Sequence, residues 1–147
     1  MSNNKFGKRI LLSLFLVSSL LIILSSGVSA KTYISDCTRL QNMQTNLTET
    51  YVLINNIDCS DTINWNSGAG FLPVGTNILG SGFSGNFYGQ GYNITNLYIN
   101  KATTNIGLFG GIISSNAYNT NVIVKDVGFI NATILNSGGT SYMGTLA

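Results

Sequence analysis

Histidine is absent from the 147 residues, and this limits what chemistry the chain can do. Without it there is no Ser-His-Asp triad, no Cys-His pair and no histidine-bearing zinc site. Glycosidic hydrolysis needs two carboxylates about 5–10 Å apart, and only Asp58 and Asp61 are close enough in sequence to suggest such a pair. A polysaccharide lyase would need calcium-binding acids with a basic residue, and the chain has few of either. No catalytic residue, no metal ligand set and no cofactor is expected. Asp58, Asp61 and Asn64 fall at three-residue intervals near Asn55 and Asn56. Calcium asks for roughly six to eight oxygens, and the same residues read better as a strand end followed by an Asp-capped turn.

The remaining chemistry is covalent decoration and contact. Cys37 and Cys59 are the only cysteines. In an exported chain two cysteines read as one disulfide; the alternative is a pair of small core residues. Their separation of 22 residues is about one turn of a β-solenoid, which would bring the two together. Asn46-Leu47-Thr48, Asn93-Ile94-Thr95 and Asn131-Ala132-Thr133 are N-glycosylation sequons. Chance also produces sequons in a chain this rich in Asn and Thr. Trp65, Phe71, Tyr88, Tyr92, Tyr98 and Tyr118 could offer ring platforms to a sugar, Trp65 and Tyr98 first among them, or could simply pack in the core.

Export is read from the start of the chain. Lys5, Lys8 and Arg9 precede an apolar run from Ile10 to Leu24, then Val28-Ser29-Ala30 supplies small residues at a cleavage site before Lys31. Residues 1–30 are therefore expected to be a signal peptide, with an uncleaved N-terminal membrane anchor as the alternative. A spanning helix needs about 20 apolar residues. The remainder, 31–147, has Lys31, Arg39, Lys101 and Lys125 against Asp36, Glu49, Asp58, Asp61 and Asp126, a net charge of −1. The basic character belongs to the leader, and no basic patch remains to hold nucleic acid.

What must position these residues is a set of short strands. Charged residues are 8% of the chain, with Asn, Gly, Ser and Thr in their place. Aromatic and β-branched residues throughout argue against disorder. One helix is expected near the start of 31–147: Thr38 as N-cap with Gln41 as N3 partner, and Leu40, Met43 and Leu47 on one face. Beyond it, Ile54–Cys59, Ile94–Ile99 and Val124–Phe129 share one hexameric pattern, apolar at positions one, four and six, with Asn56, Asn96 or Asp126 at position three. In one flat strand positions one and four would face opposite sides. A bend at an Asn, which tolerates the left-handed region, restores the phase. The pattern describes a corner of a parallel β-helix, with Asn56, Asn96 and Asp126 expected in one stack. Gly107-Leu108-Phe109-Gly110 and Gly144-Thr145-Leu146-Ala147 form a second pair, 37 residues apart.

Phe71-Leu72-Pro73-Val74-Gly75, then Phe83 to Ile94, then Asn105-Ile106-Gly107-Leu108-Phe109-Gly110 resemble proteins that carry the GLUG motif, named for a Gly-Leu-any-Gly repeat. The resemblance extends over nearly all of 33–147. It implies a right-handed parallel β-helix in large bacterial or archaeal surface proteins, adhesin-like or IgA-peptidase-like. In such peptidases the zinc chemistry sits on a separate His-Glu-x-x-His helix, which has no counterpart here. Thr145 and Ala147 depart from the motif.

The reading is an all-β chain, a right-handed parallel β-helix with a short N-terminal capping helix, serving as a non-catalytic surface or secreted module for adhesion or scaffolding. A carbohydrate-binding module is the alternative, and a remnant of a polysaccharide-active or peptidase-associated surface protein a further one. The partner is a surface ligand, glycan or protein, and nucleic acid is excluded. The membrane is met only through the N-terminal segment if uncleaved. Tyr142–Ala147 reads as a strand with no charge or proline to blunt it, so self-association through that edge, or a continuation of the chain, is expected.

Overall fold

Frequent glycines and asparagines break the chain before any strand grows long. The computed structural model describes residues 30–102, 104–113, 121–138 and 142–147. The expected leader, apart from Ala30, lies outside these residues, as does Tyr118. Nine short strands are described: β1 (Lys31–Ile34), β2 (Thr50–Leu53), β3 (Ile57–Asp58), β4 (Asn86–Tyr88), β5 (Asn93–Thr95), β6 (Tyr98–Asn100), β7 (Val124–Lys125), β8 (Gly128–Ile130) and β9 (Thr133–Leu135). Helix is confined, among the described residues, to α1 (Cys37–Gln41) and two 3-10 segments, Asn42–Thr45 and Ser60–Gly68. The fold is all-β.

Every pairing between named strands is parallel. One sheet has the order β1-β2-β4-β7, a second β3-β5-β8, a third β6-β9. Tyr51 pairs with Phe87 and Phe87 with Val124; Ile57 pairs with Ile94 and Ile94 with Phe129; Ile99 pairs with Ile134. Each partner lies some 35 to 37 residues further on. Only β1 and β2 are closer, because just α1 and its 3-10 extension separate Ile34 from Thr50. Isolated parallel bridges join Val74 to Phe109 and Ile106 to Met143.

Alternation decides what is buried. In β4, β5 and β6 the central residue, Phe87, Ile94 or Ile99, is fully buried between half-buried neighbours. These residues join Ile34, Leu53, Ile57, Leu97 and Leu108 in one core, with Phe71, Phe83, Phe87 and Phe109 as its largest members. The Phe109 ring lies 4.7 Å from that of Phe83 and meets Phe87 edge-on at 5.8 Å. Burying each such ring is worth about 1.5–3 kcal/mol.

Helix α1 starts a little earlier than expected. Its N-cap is Asp36, whose carboxylate accepts the Arg39 N–H at 2.8 Å; Thr38 lies inside the helix. A carboxylate accepts that bond better than a hydroxyl and adds favourable charge at the helix start. Gln41, freed from capping, donates its amide to Leu72 O and accepts from Leu72 N. Leu40 and Met43 are fully buried, but the expected single helical face does not form: α1 ends at Gln41, Met43 lies in the 3-10 segment, and Leu47, beyond both, is half-buried against the core.

The asparagine stack needs correction. Asn96 and Asp126 do take the left-handed conformation, with φ of 57° and 59°, but Asn56 does not. Nor do the three align. Because Ile57 pairs with Ile94, Asn56 faces Asn93, and its side-chain oxygen accepts the Asn93 N–H at 2.9 Å. Asn96 instead follows Thr95, which pairs with Ile130, and so it faces Asn131, also left-handed at φ 54°. The cause is a mismatch of spacing: Asn56, Asn96 and Asp126 are 40 and 30 residues apart, whereas the strands beside them pair at 37 and 35 residues.

Candidate functional site

Gly107-Leu108-Phe109-Gly110 runs through the middle of the core. Ile106, Leu108 and Phe109 are fully buried. On one side Val74 N donates to Leu108 O and Gly110 N to Val74 O. On the other, Leu108 N and Phe109 N donate to Thr145 O and Leu146 O. The segment is thus held between 73–75 and 144–147, and Gly107 lies beside Gly144 as the 37-residue spacing expects. Its glycines are there for clearance: a Cβ on Gly107 would sit 2.5 Å from Gly144 O, and one on Gly110 would sit 2.6 Å from Gly75 O. The motif organises packing and presents no reactive group.

Cys37 and Cys59 form a disulfide, with their Cα atoms 5.3 Å apart. It ties the start of α1 to the end of β3, and both residues belong to the core.

The acidic residues near Cys59 form a turn. The Asp58 carboxylate accepts from Ser60 N at 3.0 Å, from the Ser60 hydroxyl at 3.1 Å and from the Asn96 amide at 3.0 Å. Those bonds, the one from Asn96 foremost, hold its carboxyl below the usual carboxylate range. Among the described residues no three His, Cys, Asp or Glu side chains converge as a metal site.

The sequons differ in accessibility. Asn46 is exposed, its side chain bonded to Glu49 and to both the N–H and the hydroxyl of Thr48. Asn131 is exposed at its left-handed corner. Asn93 is half-buried in β5, and its side-chain oxygen occupies the space a Cβ on Gly128 would need.

Of the two aromatics placed first among the candidate sugar platforms, Trp65 is half-buried and packs against the core. Tyr98 lies on the outer face of β6, half-buried, its ring against Gly70. Gly70 N also donates to Trp65 O, so both residues border the same short segment.

A row of side chains in which sequence reasoning had picked out only Tyr88 lies elsewhere. Register puts Tyr33, Val52, Tyr88 and Lys125 side by side on the outer face of the four-stranded sheet. With Lys31 and Gln90 they line a shallow groove of about 360 Å³. Tyr33 is 55% exposed, and the Lys125 ammonium stands 5.7 Å from the centre of the Tyr88 ring. Outward alternation in β1 and β4 is visible in the sequence. That two tyrosines 55 residues apart share a row is not.

No family model matches the chain, and no solved structure matches it. Halomucin of Haloquadratum walsbyi is 37% identical over 90 residues, covering 57% of this chain and 1% of Halomucin. The chain therefore spans about a hundredth of the length of that protein. No helix among the described residues is long and apolar enough to cross a membrane.

Proposed function

We propose that residues 31–147 are a GLUG-type right-handed parallel β-helix, exported behind residues 1–30, that works as a non-catalytic surface or secreted module for adhesion or scaffolding. The observation that carries this reading is the register: strands of three separate sheets each find a parallel partner some 35 to 37 residues on. A chain that winds once per 35 to 37 residues accounts for all three sheets together. Right-handed crossovers between parallel strands are the rule. Similarity to a stretch of Halomucin, whose name is that of a mucin, agrees with an exported setting. Asn46 and Asn131, both exposed, are the sequons suited to carry glycans; the half-buried Asn93 is not.

Brief protease treatment of intact cells tests the surface role. Peptides from 31–147 should be released before lysis, and N-terminal sequencing of exported protein should begin at Lys31. Protein that stays protected until lysis would overturn the reading, and one that retains Met1 in the membrane fraction would identify the leader as an anchor.

A second reading, a carbohydrate-binding module, is favoured by one feature, the aromatic groove on the four-stranded sheet.

A further inference from the structure

We propose that the groove formed by Lys31, Tyr33, Val52, Tyr88, Gln90 and Lys125 binds an anionic polysaccharide, its rings stacking on the two tyrosines and its acidic groups meeting the two lysines. The shape of the groove follows from β-sheet geometry. Tyr33, Val52 and Tyr88 occupy one register row on three neighbouring strands. The two tyrosines are therefore two strand spacings apart, roughly 10 Å, with the slimmer Val52 as the floor between them. A linear polymer lying across the strands would meet one ring, then the valine, then the second ring. Tyrosine suits this contact because its face is apolar while its hydroxyl remains wet. Gln90, at a left-handed corner with φ 55°, adds an amide at the rim.

Charge selects the acidic polymer over a neutral one. Residues 31–147 hold four basic side chains, and two of them, Lys31 and Lys125, border this groove. Arg39 and Lys101 lie outside the groove. Lys125 has Asp126 at 3.4 Å, but both partners are more than half exposed, and an exposed pair of this kind is worth about 0–1 kcal/mol at most. A ligand carboxylate or sulfate can compete for that ammonium, which already stands over the Tyr88 ring. Duplex nucleic acid fits poorly, since it is held by neutralising many phosphates and two cations on a domain of net charge −1 do not supply that. The site rests on the surface reading only for where it would meet its ligand; binding by purified protein does not depend on it.

Affinity electrophoresis of the purified exported chain through gels with polygalacturonate, dextran or duplex DNA tests the site. Polygalacturonate should retard the protein, and dextran and DNA should not. Tyr88→Ala and Lys125→Gln should each weaken retardation about ten-fold, equivalent to roughly 1.4 kcal/mol. Lys101→Gln, which removes the same charge outside the groove, should leave it unchanged. Tyr33→Ala, on an edge strand, is the second ring variant should Tyr88→Ala misfold. Absence of retardation by polygalacturonate would overturn the proposal. So would equal loss in Lys101→Gln and Lys125→Gln, full binding by the ring variants, or equal retardation by DNA, each of which would mean simple ion exchange.

Discussion

Asn96 and Asn131 hold the same left-handed backbone on neighbouring strands, a conformation costly for any residue with a branched Cβ. Asn96→Val should therefore lower unfolding free energy by about 1–3 kcal/mol, and Asn96→Gly by much less. Urea denaturation of the two variants checks this; a valine variant as stable as wild type would refute the corner assignment. The carboxyls of Asp36 and Asp58 both lie below their ordinary range, Asp36 through the Arg39 N–H and Asp58 through the Asn96 amide. A carboxyl depressed in the folded state contributes stability above its unfolded value near ~3.9, and that contribution is lost as pH falls through the folded value. Melting temperature should thus drop below about pH 4, and less steeply in Asp58→Ala than in wild type. Tyr51 shifts the other way: burial, with the Glu49 charge second, pushes its phenol up to about 12. Its hydroxyl donates to Asn46 O at 2.7 Å. Spectrophotometric titration should show one of the seven tyrosines ionising near 12, and Tyr51→Phe should remove that step. The stability it brings is present below about pH 10 and lost as pH rises through 12.

At the scale of elements, α1 and the Gly107–Gly110 segment do most of the fastening. The Cys37–Cys59 bridge closes a separation of 22 residues between helix and strand, and in the chain-entropy model it stabilises by roughly 3 kcal/mol. Reduction followed by alkylation should lower the urea midpoint accordingly, while the unreduced protein should take up no alkyl group in intact-mass analysis. Gly110→Ala puts a Cβ 2.6 Å from the Gly75 carbonyl oxygen, and the residues preceding each of these glycines, Val74 and Phe109, are fully buried. A loss of about 1–3 kcal/mol is expected from such overpacking. A Gly110→Ala protein that melts with wild type would show that the segments are further apart than described.

Over the whole molecule, burial is uneven along the sheets. Phe87, Ile94 and Ile99 are fully buried, yet their partners Val124, Phe129 and Ile134 on the outermost strands are only partly so. Nearby, Ile130 and Leu135 are 47% and 44% exposed. Among the described residues, strands β7, β8 and β9 each have a sheet partner on one side only. Open edges flanked by apolar side chains invite pairing with another chain. The purified exported protein is expected to sediment as an associated species at micromolar concentrations, and Leu135→Lys to shift it toward monomer. A wild-type monomer with no concentration dependence would refute this.

Strand positions, the turn residues and the alternation that buries Phe87, Ile94 and Ile99 are local properties, and they can be read directly from the residues. So can the want of histidine, the two cysteines, and the recurrence of Gly107 at Gly144, 37 residues on. The start of α1 was displaced because two residues, Asp36 and Thr38, both have side chains that can cap, and only the fold shows which one meets the Arg39 N–H. Register is a different matter. It is set by the number of residues in every corner between two strands, and asparagines 40 and 30 residues from their expected partners fall out of line where strands pair at 37 and 35, so Asn96 meets Asn131. The same non-local pairing sets Tyr33 beside Val52 and Tyr88, because a strand's own alternation says which face a side chain takes but not which distant side chain it will meet there.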